Sequence, residues 1–320
     1  MKLGIIGTGR IAARFVPEAA QVAGIRLTGV YNPHPGSAER FVQAHGGSQT
    51  MTPLTDLSSL FDLCDAVYIA SPHETHYDYI MAALAHDKHV LCEKPMVLSA
   101  QEVEQCFRLA REKNLVLMEG LKTAYCPGYQ KLLAVAADGC IGEVRLIDSC
   151  FTKLEDPGRR ELTDRVYGGS FTELGSYVLL PILDLFGSGY ERILFSSIRN
   201  ALGLDILTRA ELTYPDRLTS ATCGLGVKAE GRLLISGTKG YIHVEAPWWK
   251  TARFTVHFED PTHQMSYEAP FEGDGLRYEI AEFMRQINKT DSARMDPGAV
   301  GRSICLADLM ARFLVSEVHS

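Results

Sequence analysis

Met1-Lys2-Leu3-Gly4-Ile5-Ile6-Gly7-Thr8-Gly9-Arg10-Ile11-Ala12 opens the chain, and its reading decides the fold of the first domain. A short apolar run from Leu3 leads straight into G-x-G-x-x-A. The first glycine permits a tight turn, the second lets a phosphate approach bare backbone, and Ala12 lets helix and strand pack closely. The helix that begins there offers unpaired N–H groups to an anion. Glycines also punctuate ordinary strand-to-helix turns, so the motif alone is weak. Its place directly after a strand gives the context a dinucleotide site requires. Gly7, Thr8, Gly9, Arg10 and Ile11 are the first candidate cofactor-binding residues.

Further short apolar runs follow at Leu27 to Val30, Ala66 to Ala70, Val90 to Cys92 and Leu115 to Met118. Such runs suit strands buried on both faces of a parallel sheet. Helical patterns lie between them. Tyr77, Ile80, Met81 and Leu84 share one helix face. Ser99 and Glu102 form a capping-box pair ahead of Val103, Cys106, Phe107 and Ala110. Alternating strands and helices predict a doubly wound, Rossmann-type parallel sheet over residues 1–121.

The pattern changes after that. A helix is expected over Gly128 to Ala137. Strands are expected at Val144 to Phe151, Arg192 to Ile198, Ile206 to Tyr214, Leu218 to Val227, Arg232 to Ile235, Tyr241 to Glu245 and Arg253 to Phe258. Gly237-Thr238-Lys239-Gly240 reads as a hairpin connection. Helices are expected at Tyr278 to Asn288 and Gly298 to Val318. Residues 122–320 therefore read as an α+β domain with a large, mostly antiparallel sheet.

The 320 residues carry 32 basic and 39 acidic side chains, a net charge of −7. That balance disfavours a broad basic surface for nucleic acid or acidic lipid. No stretch approaches the ~18 apolar residues a membrane helix needs, and no export signal is visible. Eight scattered cysteines form no C-x-x-C pair and read as reduced thiols in a cytoplasmic protein.

Three more stretches belong to the first site. The second strand ends Val30-Tyr31-Asn32-Pro33-His34. It has neither an acid for a ribose 2′-OH nor an adjacent arginine for a 2′-phosphate. Asn32 can bond the ribose hydroxyls, and His34 or Arg40 can approach a phosphate, so NAD and NADP stay open. Ser71-Pro72-His73-Glu74-Thr75-His76 ends the fourth strand. Ser71, Pro72, His73 and His76 are candidate cofactor contacts, and Thr75 is a candidate helix cap. No metal is expected, since H-x-x-H has no third ligand in register. Cys92-Glu93-Lys94-Pro95 ends the fifth strand, where ligands of open α/β sheets bind. There the Lys94 ammonium can stabilise charge on a reacting oxygen, with Glu93 beside it.

These residues resemble the Gfo/Idh/MocA oxidoreductases (glucose–fructose oxidoreductase, inositol dehydrogenase and relatives). The matches are Gly7 to Ala12, Ser71-Pro72 to His76, Asp87 to Pro95 with its Glu93-Lys94-Pro95, and Gly168-Gly169-Ser170-Phe171-Thr172-Glu173-Leu174-Gly175-Ser176-Tyr177. The resemblance implies hydride transfer between a nicotinamide and a sugar-like, polyol or cyclic alcohol or carbonyl. It implies that Lys94 is the active-site lysine. It implies a tyrosine-type enzyme, as in dihydrodiol dehydrogenase, with Tyr177 as proton donor or acceptor. It implies subunit contact through the second sheet, hence a homodimer or homotetramer. Glu173 stands where the family usually has aspartate.

Glu173 and Tyr177 are four apart and share a helix face, while Pro181 predicts a kink. Lys122, Tyr125 and Arg160 join them as candidate substrate residues, with Arg165, Cys126 and Trp248-Trp249 as further possibilities. Two other functions are compatible with the residues: an NAD-using glycoside hydrolase or lyase, and a non-enzymatic nucleotide sensor.

Overall fold

The computed structural model describes residues 1–46, 50–289 and 294–318. The chain forms two units. The first comprises Met1–Lys122 and Glu272–Ala307. The second comprises Thr123–Phe271 and the chain from Asp308 onward.

The first unit alternates β1 (Lys2–Ile6), α1 (Arg10–Ala19), β2 (Arg26–Tyr31), α2 (Ser37–His45), β3 (Thr52–Leu54), α3 (Leu57–Leu63), β4 (Ala66–Ile69), α4 (His76–Ala85), β5 (His89–Glu93), α5 (Ala100–Glu112) and β6 (Leu117–Gly120). The sheet runs β3-β2-β1-β4-β5-β6, with every neighbouring pair parallel. That is the Rossmann order, and the direction of winding reverses between β1 and β4. Ile6 and Ile69 are register partners there, so the turns after both strands open side by side. All residues of β4 and β6 are buried, as helices on both faces require. Ser99 caps α5 by accepting the Glu102 N–H, as the capping box predicts.

The second unit holds α6 (Pro127–Ala137), β7 (Val144–Thr152), α7 (Arg160–Thr163), α8 (Ser170–Phe186), β8 (Arg192–Arg199), β9 (Asp205–Tyr214), β10 (Arg217–Gly224), β11 (Leu233–Gly237), β12 (Gly240–Val244), β13 (Arg253–Phe258) and β14 (Gln264–Glu268). Its sheet runs β14-β13-β12-β11-β7-β10-β9-β8. All neighbours are antiparallel except β10 and β7. Helix α8 packs on β7, β9 and β10.

Two expectations need correction. A single boundary at 121/122 omits the return of Glu272–Ala307 to the first unit. That segment contains α9 (Leu276–Ile287) and the start of α10 (Pro297–Val318). Helix α9 buries Leu276, Ile280 and Phe283 and packs on α1. Arg277 there makes a two-pronged ion pair with Glu18 of α1, contacts too distant in sequence for periodicity to reveal. The sequence pattern does not predict strands β3 and β14. The first is three residues with Pro53 inside, and the second alternates exposed and half-buried residues over polar sequence. Helix α8 continues through Pro181 without ending. Ser149 of β7 donates its hydroxyl to the Val178 carbonyl at 2.6 Å.

Candidate active site

In the first unit the turn after β1 is shaped by its neighbour across the winding reversal. Gly7 has φ +107°, and a Cβ there would lie 2.5 Å from the Ala70 carbonyl oxygen. Only glycine fits. Gly9 differs: it is the extended N-cap of α1, and its Cβ would meet only the Ala70 oxygen, at 3.9 Å. The space above it is open. Helix α1 has no side-chain cap and no acid in its first turn. Ala12 is fully buried beneath it, while Gly9 and Arg10 are exposed and Thr8 and Ile11 half-buried. Open glycine, uncapped helix end and absent acid together fit a dinucleotide pyrophosphate.

Asn32 joins this turn to the end of β2. Its Nδ2 donates to Thr8 Oγ1 at 2.8 Å, and its Oδ1 accepts the His34 N–H at 2.9 Å. The side chain is therefore fixed between two loops. Arg40 donates to Ser37 Oγ at 3.1 Å at the start of α2.

After β4, Ser71 is half-buried, Pro72 exposed and His73 half-buried. Thr75 does not cap α4 with its side chain. Its hydroxyl instead donates to Pro72 O or Ser71 Oγ, both at 2.7 Å. His76, expected at the cofactor, is fully buried. Its Nε2 lies 3.0 Å from the Ser71 carbonyl oxygen, and its Nδ1 lies 3.0 and 3.2 Å from those of Pro95 and Met96. Its ring lies between two loops with carbonyl acceptors on both sides, and the nitrogen that carries the proton donates.

After β5, Lys94 is half-buried and its N–H donates to Glu93 Oε2 at 3.3 Å. Burial pushes the Glu93 carboxyl above the usual range, against the Lys94 charge, the Tyr68 hydrogen bond and the Lys122 charge. Lys122, expected at the substrate, is buried in a short 3₁₀ turn, Lys122–Tyr125. Its Nζ donates to the Asp274 carbonyl at 2.6 Å. Burial and then the Arg14 charge hold its ammonium below the ordinary lysine range, against the Glu279, Glu93 and Asp274 carboxylates. Burial also lifts the Cys92 thiol well above its ordinary value, which leaves it inert.

In the second unit Tyr177 sits on α8. From Ser170 to Leu183, every residue except Glu173 and Tyr177 is buried. The helix thus presents one open stripe, and it carries these two groups. Gly169 opens the helix at φ +104°, where a Cβ would lie 2.1 Å from Asp205 Oδ1. Asp205 accepts the Phe171 N–H at 2.9 Å and the Thr208 hydroxyl at 2.7 Å. Ser170 donates to the Asp205 carbonyl and accepts the Leu225 N–H, each at 3.0 Å. Burial raises the Asp205 carboxyl above its ordinary value despite these donors.

Beside Tyr177 lies an aromatic cluster. Its ring centroid is 5.4 Å from that of Phe151, and Phe151 stacks on Trp249 at 3.5 Å. Trp248, in contrast, is core: fully buried, it donates from Nε1 to the Cys150 carbonyl at 3.0 Å. Tyr125 is half-buried. Arg160 pairs loosely with Asp164 at 3.8 Å, and Arg165 is exposed. Phe151 and Asp205 are not visible in the sequence pattern, because one looks like ordinary strand core and the other lies 34 residues from the Phe171 N–H it accepts. Among the described residues, no group of three or more His, Cys, Asp or Glu is arranged to hold a metal.

Fold and cradle define a Rossmann-type dinucleotide-binding unit. Residues 1–121 match the Gfo/Idh/MocA family model, described as an oxidoreductase family with an NAD-binding Rossmann fold. A trans-1,2-dihydrobenzene-1,2-diol dehydrogenase from Sus scrofa is 30% identical over 254 residues, covering 77% of this chain and 75% of that enzyme. The Homo sapiens enzyme of the same name is 28% identical over 297 residues, covering 90% and 89%. An NADP(+)-dependent scyllo-inositol 2-dehydrogenase of Bacillus subtilis is 31% identical over 196 residues, and the match spans 59% of each chain. A crystal structure of a 3-ketoreductase from Actinomadura kijaniata, in complex with NADP and TDP-benzene, shares the fold with TM-score 0.82 at 22% identity, covering 97% and 95%. The chain belongs to the Gfo/Idh/MocA oxidoreductase family.

Proposed function

We propose that this protein is an NADP-dependent dehydrogenase or reductase of a sugar-like, polyol or cyclic alcohol or its carbonyl counterpart. Bound at the α1 cradle, the nicotinamide coenzyme supplies the hydride donor or acceptor. Tyr177 gives or takes the hydroxyl proton, assisted by Lys94. The family resemblance supplies this pairing of residues. The observation that carries the reading is the stretch of α8 from Ser170 to Leu183, where Tyr177 and Glu173 alone escape burial. The half-buried Trp249, stacked on the buried Phe151 beside Tyr177, offers an aromatic ring to a ring-shaped substrate.

Preference for NADP rests on the end of β2. Asn32 stands where an acid would accept a ribose 2′-OH, and its amide is already engaged at both ends. Without that carboxylate a 2′-phosphate meets no like charge there. Ser37, Arg40 and His34 nearby supply donors. The dehydrogenase of Bacillus subtilis and the ketoreductase of Actinomadura kijaniata also use or bind this coenzyme. We also place the protein in the reducing cytoplasm, since its eight cysteines are thiols.

An oligomer built on the second sheet belongs to the same reading. Leu146, Leu194, Ile198, Leu218 and Tyr241 are exposed on its strands, and Leu218 is the register partner of Leu146. On β10, Leu218 alternates with the buried Thr219, Ala221 and Cys223, so it points away from the covered face.

The test is nicotinamide fluorescence titration with NADPH and NADH, then turnover of scyllo-inositol and trans-1,2-dihydrobenzene-1,2-diol with NADP⁺ and NAD⁺. Tighter NADPH binding is expected. Lys94→Met and Tyr177→Phe should each lower kcat strongly while coenzyme still binds. Normal turnover in both variants would refute the assigned roles. Redox-neutral cleavage of a glycoside would favour the lyase reading, and coenzyme-controlled DNA binding the sensor.

A further inference from the structure

The segment that carries Lys94 is held by buried side chains. The Lys94 N–H donates to Glu93, and the Met96 N–H donates to Glu119 Oε1 at 3.0 Å. Glu119 closes β6 and is 6% exposed, and its Oε2 accepts the Ser303 hydroxyl of α10 at 2.7 Å. The carbonyls of Pro95 and Met96 lie against His76 Nδ1, whose opposite nitrogen lies against the Ser71 carbonyl. Pro95 has no N–H to bind. The backbone polar groups at Lys94 N, Pro95 O, Met96 N and Met96 O thus rest on three buried side chains from β5, β6 and α4. Such groups in a dry interior demand partners. Glu119 and His76 come from outside the loop, so they fix its position as well as its satisfaction.

A lysine is a charge on a flexible four-carbon stem. Its ammonium is placed no better than the backbone that bears it. We propose that His76 and Glu119 are positioning residues for Lys94. They fix the backbone at Pro95 and Met96, Glu119 by accepting the Met96 N–H and His76 by donating from Nδ1, and so set where the ammonium can act. This rests on Lys94 being the catalytic cation. Glu119 pulls on the Met96 N–H and His76 on the carbonyls either side of it, so loss of either frees the segment on one side only.

The test uses the full chain carrying His76→Phe, Glu119→Leu or Glu119→Gln, with Lys94→Met as reference. Hydrogen exchange of the peptide spanning Lys94–Met96 is read without coenzyme. NADPH affinity is read by fluorescence, and turnover with NADP⁺ on whichever of the two cyclic alcohols above is oxidised. His76→Phe and Glu119→Leu should speed local exchange and lower kcat on the order of 10- to 100-fold, with NADPH affinity nearly unchanged. Glu119→Gln keeps an oxygen for the Met96 N–H and should restore most of the protection and of kcat. In the Lys94→Met background, His76→Phe should cost nothing further.

Unchanged kcat in folded Glu119→Leu and His76→Phe would overturn the proposal. So would an equal loss in Glu119→Gln and Glu119→Leu, or full additivity with Lys94→Met. If His76→Phe fails to fold, the Gln and Leu pair at position 119 decides alone. Normal turnover of Lys94→Met would instead bring down the role of Lys94 and this inference with it. Loss there, with none in the other variants, would refute the inference only.

Discussion

The phenol of Tyr68 donates a 2.6 Å hydrogen bond to Glu93 Oε1 inside the first unit. Tyr68 lies on β4 and Glu93 ends β5, so the bond joins adjacent strands just before Lys94. The Tyr68 ring also stacks on Phe15 of α1 at 3.7 Å. Burial, then the Glu93 charge, raises the phenol well above its ordinary value and keeps it a donor. Tyr68→Phe leaves a buried carboxyl short of a partner and should destabilise by about 1–3 kcal/mol in urea denaturation. Glu93→Gln keeps an acceptor for the phenol and should cost less. A Tyr68→Phe protein as stable as the parent would show that the bond contributes nothing.

The two cradle glycines should separate under substitution. Gly9→Ala meets only van der Waals contact at a φ of −79° that alanine accepts. Its stability should hold or rise by up to about 1 kcal/mol, while NADPH affinity falls because the methyl enters the phosphate space. Gly7→Ala drives a methyl against the Ala70 carbonyl at a φ of +107° and should lose both. Thermal unfolding with fluorescence titration reads the two effects. Undiminished NADPH binding by Gly9→Ala would argue against the cradle.

Glu18 predicts a pH dependence. Burial pushes its carboxyl up, but the Arg277 hydrogen bonds, the Asp274 N–H and the Arg277 charge outweigh it, so its pKa is below the ordinary 4.5. A depressed folded-state pKa means its contribution is fully present above about pH 4.5 and lost as pH falls through the folded value. Arg277→Met should therefore cost stability at pH 7, at the lower end of about 3–5 kcal/mol because Arg277 is 21% exposed. It should cost progressively less below pH 4. Denaturation at both pH values checks this. An equal loss at pH 7 and pH 3.5 would contradict it.

The outer face of the second sheet predicts assembly. Leu194, Ile198 and Leu218 are 50%, 56% and 60% exposed. If copies meet there, Ile198→Glu and Leu218→Glu should each shift the mass measured by light scattering to that of one chain, with coenzyme binding retained. A parent protein already monomeric at working concentration would dismiss the interface.

Asp205 predicts that the tyrosine helix depends on a distant carboxylate. Asp205→Ala removes the acceptor from the Phe171 N–H and the Thr208 hydroxyl. It should cost roughly 1–3 kcal/mol and lower kcat through α8 while NADPH affinity stays. Asp205→Asn keeps one acceptor and should be milder. Coenzyme affinity falling in parallel with kcat would point to general unfolding instead.

The sequence by itself determined what depends on local chemistry. Glycine spacing after β1, continuous apolar runs and the Ser99 cap fix the Rossmann half, because each acts through neighbours a few residues away. Glu93-Lys94-Pro95 and the Glu173–Tyr177 spacing were legible for the same reason. Only the tertiary structure decided the rest. It sent Glu272–Ala307 back to the first unit, because α9 finds its apolar partner on α1. It turned His76 from an expected ligand into a buried clip and tied Lys122 to the Asp274 carbonyl. It set Phe151 and Trp249 beside Tyr177, and Asp205 beneath the start of its helix. These outcomes rest on hydrogen bonds and packing between residues from five to more than two hundred and fifty positions apart, made only once sheets and helices have brought them together.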